Sequence, residues 1–261
     1  MWGVFMFLVL KTEPFSRARN PFVRLFQKPK PPELSRVAVR GGAYFYSAVL
    51  YADKHGKTDF SLLLPLGGCI QRIVPNGTLP TLPAPFAVFQ PRFFPAYLFL
   101  QTALQHLRKQ TEGAPLPLLG ISDRNGLLAN CIPPFADVAA HIRIFTAAPQ
   151  RYAAVCEQVF CERGLPLILS DSKAALRSCT VQLLPFAENA APYFPGQLVT
   201  TATGAVYAGT GLELPAELAA RRPPDTNVLQ FVSALYELCN VPLPKTLCYD
   251  ALYPIKSGKI Y

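Results

Sequence analysis

The sequence predicts an α/β fold built on a parallel sheet, and three observations carry that prediction. From Leu116 onward, apolar runs of strand length alternate with segments of helical period. Such repeated βα units demand right-handed crossovers and a parallel sheet with helices on its faces. Ahead of them, β-branched and aromatic residues fill the apolar runs, which marks a β-rich region. The chain of 261 residues is 51% hydrophobic and 16% charged, which supplies a substantial core and excludes a disordered chain. Its 27 prolines exceed the usual share of about 5% and demand many irregular connections, because proline is excluded from helix interiors and central strands.

Trp2 to Leu10 (WGVFMFLVL) reads as a buried strand. It is far shorter than the roughly 20 residues a bilayer requires, and it lacks the basic flank and cleavage site of a secretory signal. Ser35 to Ala52 and Asp59 to Leu66 are strand candidates, and His55-Gly56-Lys57 between them suggests a hairpin. Ile70 to Val74 is another strand, ended by the turn signal Pro75-Asn76-Gly77. Thr78 to Pro95 is proline-rich and reads as an ordered surface loop. Ala96 to Gln110 is the first helix: Leu100, Ala103, Leu104 and Leu107 recur at helical spacing, and Arg108-Lys109 suit the negative end of its dipole. His106 on this helix reads as a surface or boundary residue.

Beyond Gly113 and Pro115, strands are expected at 116–122, 142–146, 165–169, 180–184 and 198–201. Helices are expected at 149–163, 172–177, 215–220 and 226–238, the last capped by Asp225. In the helix ending at Arg163, Val155, Val159 and Phe160 should point inward, and Glu157 and Glu162 outward. Leu127 to Ala139 has a helical period, but Pro133-Pro134 must kink or divide it. Residues 114–240 are thus expected to form a Rossmann-like parallel-sheet domain, preceded by a β-rich, proline-rich region over 1–113 and followed by a tail over 241–261.

The net charge of +9 is unevenly spread. Residues 11–40 carry Lys11, Arg17, Arg19, Arg24, Lys28, Lys30, Arg36 and Arg40 against Glu13 and Glu33, a surplus of six. Such an arm suits phosphates, and Phe15, Phe22 and Phe26 within it could stack bases, so nucleic acid is one candidate partner. A solvated loop anchored by its aromatic residues explains the same pattern. The seven cysteines form no CxxC pair and no Cys/His metal spacing, so no metal site is expected and a reducing, cytoplasmic compartment is. Cys69, flanked by Leu66 and Ile70, reads as buried. His55 and His141 have no acidic or cysteine companion at triad or metal spacing and read as structural.

In an open parallel sheet, ligands bind beyond the carboxyl ends of the strands. That rule selects Ser122, Asp123, Asn125, Gly126, Thr146 and Arg151 as a candidate site for a nucleotide or small anionic ligand. The segment Ile142 to Arg163 (IRIFTAAPQRYAAVCEQVFCER) resembles the second strand and following helix of NADP-type nucleotide-binding domains of the shikimate dehydrogenase kind. The resemblance implies NADP as cofactor, with Thr146 and Arg151 meeting the ribose phosphate. The chain departs from that family in two places. The G-x-G-x-x-G turn is missing, with only Gly120 and Gly126 near it, and the family's catalytic Lys and Asp motif is not visible in the N-terminal half.

Asp123-Arg124-Asn125-Gly126-Leu127-Leu128 also resembles the D-x-D-G-T-L motif of haloacid dehalogenase-like phosphatases. That likeness implies Asp123 as nucleophile, Thr146 as phosphate-binding hydroxyl and Lys173 as the family's lysine. Asn125, however, stands where the family's second Asp relays a proton, and no acidic pair follows the fourth strand to hold Mg²⁺. Helix capping accounts for Asp123 and Asn125 without any ligand. Gly204, Gly209 and Gly211 mark close turns that could floor a pocket or simply join strands. The functional expectation is a nucleotide- or dinucleotide-binding protein degenerate as an enzyme, with a phosphatase and a non-enzymatic partner-binding module as alternatives.

Overall fold

The computed structural model describes residues 6–14, 30–39, 43–53, 55–186, 196–201, 203–239, 241, 247 and 249–255. Most of the basic arm, including Arg17, Arg19, Arg24, Lys28, Arg40 and its three phenylalanines, lies outside the described residues, as do Trp2 to Phe5. The chain divides into two compact units, residues 1–91 with 214–243 and residues 92–213 with 244–261. The division is discontinuous because the helix after Arg92 belongs with the second unit and the last helix with the first.

The first unit is built on a five-stranded sheet. Its strands are β1 (Phe7–Glu13), β2 (Glu33–Ala38), β3 (Tyr44–Tyr51), β4 (Arg72–Pro75) and β5 (Ala87–Val88), in the order β2-β3-β1-β4-β5. β3, β1, β4 and β5 run parallel, and β2 closes one edge antiparallel to β3. β1 is central, so Phe7, Leu8, Val9 and Leu10 are all buried, as a strand covered on both faces must be. Phe7 stacks on Phe45 of β3 at 5.2 Å, and Phe231 meets both rings edge-on at 6.1 and 5.3 Å.

Asp59 to Leu66 is not a strand. The Asp59 carboxylate accepts the Ser61 N–H and hydroxyl at 2.9 and 3.0 Å, folding a turn, and Leu64–Leu66 forms a 3-10 turn around Pro65, which has no N–H for a ladder. The expected hairpin shrinks to one antiparallel bridge between Ala52 and Thr58. Cys69 follows in an exposed turn rather than the core.

The second unit holds β6 (Leu118–Ser122), β7 (His141–Phe145), β8 (Leu167–Ser170) and β9 (Val181–Leu184), mutually parallel in the order β8-β7-β6-β9. β6 and β7 pair in register from Leu118–His141 to Ser122–Phe145. Three further strands, β10 (Gln197–Thr200), β11 (Ala205–Thr210) and β12 (Ala251–Ile255), extend the sheet beyond β9, each antiparallel to its neighbour. The sheet is therefore mixed, and the segment expected as a tail supplies one of its edges. Gly209 sits within β11, where a Cβ would come 2.5 Å from the Tyr249 ring, so it serves close packing rather than a pocket floor.

α1 (Phe94–Thr111) buries Leu100, Ala103, Leu104 and Leu107, the stripe its spacing predicts. α2 (Ala153–Arg163) buries Val155 and Val159, one turn apart, and ends at Gly164 with φ 65°. Phe160 is 59% exposed, because it lies about 100° round the helix from Val159. No α-helix follows β6. Ala129–Cys131 and Pro133–Asp137 form two 3-10 turns instead, divided at the proline pair, and still bury Leu128, Ile132, Phe135 and Val138. The 149–152 and 173–178 segments are likewise 3-10 turns.

In the first unit, α3 (Ala216–Ala219) precedes α4 (Val228–Cys239). The N-terminal cap of α4 is Asn227, whose side-chain oxygen accepts the Gln230 N–H at 3.0 Å. Asp225, the expected cap, instead pairs with Lys11 at 3.7 Å.

Candidate functional site

The carboxyl ends of β6 and β7 gather most of the residues singled out from the sequence. Asp123 continues the ladder by donating its N–H to the Phe145 carbonyl at 3.0 Å. The chain then turns, with the Gly126 N–H donating back to the Asp123 carbonyl at 3.0 Å and Gly126 at φ 64°. A Cβ on Gly126 would lie 3.0 and 3.1 Å from Arg151 Cδ and Cβ. Glycine is required there twice, by its left-handed conformation and by the Arg151 stem laid over it.

Asp123 is completely buried. Its Oδ1 accepts the Leu127 N–H at 3.0 Å, and its Oδ2 accepts both the Leu128 N–H and the Tyr152 hydroxyl at 2.7 Å. In an anion-binding turn after a first strand, backbone N–H groups of this kind face the ligand's phosphate. Here the chain's own carboxylate takes them. Burial foremost, then the Asp123 carboxylate, pushes the Tyr152 phenol far above its ordinary value, so it remains a donor. The same two causes in the same order push the Cys131 thiol up to about 11.

Thr146 is also buried and spends its hydroxyl on the backbone. Its Oγ1 accepts the Ala148 N–H at 3.1 Å and donates to the Arg124 carbonyl at 3.5 Å, which also accepts the Ala147 N–H at 2.8 Å. Asp123, Gly126, Thr146 and Arg151 thus form one continuous constellation. Ser122 ends β6 and Asn125 lies on the turn, but their side chains make no hydrogen bond among the described residues. Arg124, Asn125 and Arg151 are exposed along the rim.

Tyr152 is the member that sequence reasoning missed. It stands 29 residues from Asp123, and no spacing rule links a strand-end aspartate to a tyrosine at the next helix start. Chemically, a nucleophile needs a free lone pair and access to its substrate. Asp123 is wholly buried and already accepts three hydrogen bonds, so it lacks that access, and its geometry is that of a turn cap. Among the described residues, no group of three His, Cys, Asp or Glu could hold a metal ion, and no helix is long and apolar enough to cross a membrane. Comparison with models of known families, with curated proteins and with solved structures finds no match.

Proposed function

We propose that the chain is a Rossmann-like protein of dehydrogenase type that is degenerate as an enzyme and acts as a binding module. Numbered in chain order, the four parallel strands of the second unit run 3-2-1-4, the order that opens the dinucleotide-binding fold. The Thr146–Arg151 segment stands where such folds meet the adenosine ribose phosphate. The observation that carries the reading is the Asp123 carboxylate on the Leu127 and Leu128 N–H groups, in the place a pyrophosphate would take. The helix whose N-terminus would favour that pyrophosphate is replaced by 3-10 turns. The same burial argues against a phosphatase, whose aspartate must attack phosphorus.

Calorimetric titration with NADP(H), NAD(H) and ATP tests this reading on the intact chain. The account expects no micromolar binding of either dinucleotide. Saturable micromolar NADP(H) binding that Arg151→Ala weakens would put the dinucleotide at this strand end and overturn it.

A further inference from the structure

The first unit has its own reversal in strand order. From β1 the chain passes to β3 on one side and then to β4 on the other, and a parallel sheet opens a crevice at the carboxyl ends of its strands at such a point. At that end lie two cavities of about 610 and 510 Å³, both lined by Asp53 and Thr58. The smaller also touches Thr12 and Glu13 of β1 and Thr78 to Pro80 beyond β4. The larger falls within the range typical of small-molecule sites, roughly 300–1,000 Å³.

We propose that the larger cavity binds a small aromatic carboxylate. Its apolar wall is made of Tyr51, Phe60, Pro31, Pro32, Pro83 and Leu64, the last 52% exposed. Aromatic and proline rings present flat apolar faces that suit a planar guest. The polar groups on the lining are mostly spent. Lys30 donates to the Tyr51 hydroxyl at 2.7 Å and pairs with Glu33 at 2.9 Å, while Tyr51 donates to Glu33 at 3.0 Å. Asp53 accepts the His55 and Lys57 N–H groups, both at 2.8 Å, and Asp59 holds Ser61. The Lys57 ammonium makes no hydrogen bond or ion pair among the described residues, and its charge acts on the Asp53 and Asp59 carboxylates only through space. Because no acid contacts it directly, this cation beside an apolar wall can pair with a guest carboxylate that carries a hydrophobic body.

This proposal stands on the first unit alone and is independent of the reading of Asp123. Ligand-observed NMR titration of the full chain with benzoate, cyclohexanecarboxylate and benzyl alcohol tests it. Benzoate should bind most tightly. Lys57→Gln should weaken benzoate about three- to tenfold, to the level of benzyl alcohol, because an exposed charge pair is worth little more than that. Leu64→Trp should fill the cavity and abolish binding of all three. Both positions are exposed, so unchanged melting temperatures will show that the variants fold. Absence of benzoate binding, equal affinity for benzyl alcohol in the wild type, or variants that bind as the wild type does would overturn the proposal.

Discussion

Tyr152 donates a 2.7 Å hydrogen bond to Asp123, fastening the segment that leads into α2 to the turn that leaves β6. Both residues are wholly removed from solvent, and the tyrosine completes a carboxylate that already accepts two backbone N–H groups. The pair shows how the N–H groups of this turn are satisfied from within the chain, the aspartate supplying their acceptors.

Removing either partner should destabilise the fold, and unequally. Asp123→Ala strands two backbone N–H groups and a phenol in the interior, and should cost about 3–5 kcal/mol. Tyr152→Phe removes one donor and keeps the ring packed, so about 1–2 kcal/mol is expected. Urea unfolding of the two variants checks the order; equal and small losses would contradict it.

Gly126→Ala should cost about 1–2 kcal/mol through its left-handed backbone and its closeness to the Arg151 stem. Shortening that stem with Arg151→Ala should relieve part of the loss. A double-mutant cycle measured by chemical denaturation should therefore show coupling between the two positions.

Stability should fall on both sides of neutrality. Burial first, and Lys109 second, lowers the His106 pKa, and its Nε2 is buried without a hydrogen-bond partner. A folded value below the unfolded one of 6.5 means a contribution present above about pH 6.5 and lost as the pH falls through the folded value. The Cys239 thiol is pushed up to about 11 by burial, as Cys131 is by burial and then Asp123. Their contributions are complete below about pH 9 and lost as the pH rises through about 11. Melting temperatures should form a plateau between these limits, and His106→Phe should flatten the acid arm while leaving the alkaline one.

Much of the second unit is legible in the sequence, for a physical reason. Leu118 to Ser122 and His141 to Phe145 are short apolar runs set between turns and helical segments, and their hydrophobic pattern admits few other folds. The errors arise where apolar content and backbone capacity disagree. Leu62 to Leu66 is apolar enough for a strand, yet Pro65 and the Asp59 turn deny it a ladder. Leu127 to Ala139 keeps a helical period and buries it, but the proline pair permits only 3-10 turns. At the candidate site, Asp123 was visible as a cap, whereas the role of Tyr152 depends on a tertiary contact that no local pattern encodes.

The most direct test of the account replaces the internal carboxylate with an external one. Asp123→Gly leaves the Leu127 and Leu128 N–H groups and the Tyr152 hydroxyl without their acceptor, around a space the size of the lost side chain. Thermal melting of this variant in acetate, formate or phosphate, against sodium chloride at equal ionic strength, reads out whether a small anion can refill it. The account predicts that acetate or formate raises the melting temperature of Asp123→Gly by several degrees more than that of the wild type, since a ligand bound only to the native state must stabilise it. Equal responses of variant and wild type to every salt would contradict the claim that Asp123 occupies an anion site.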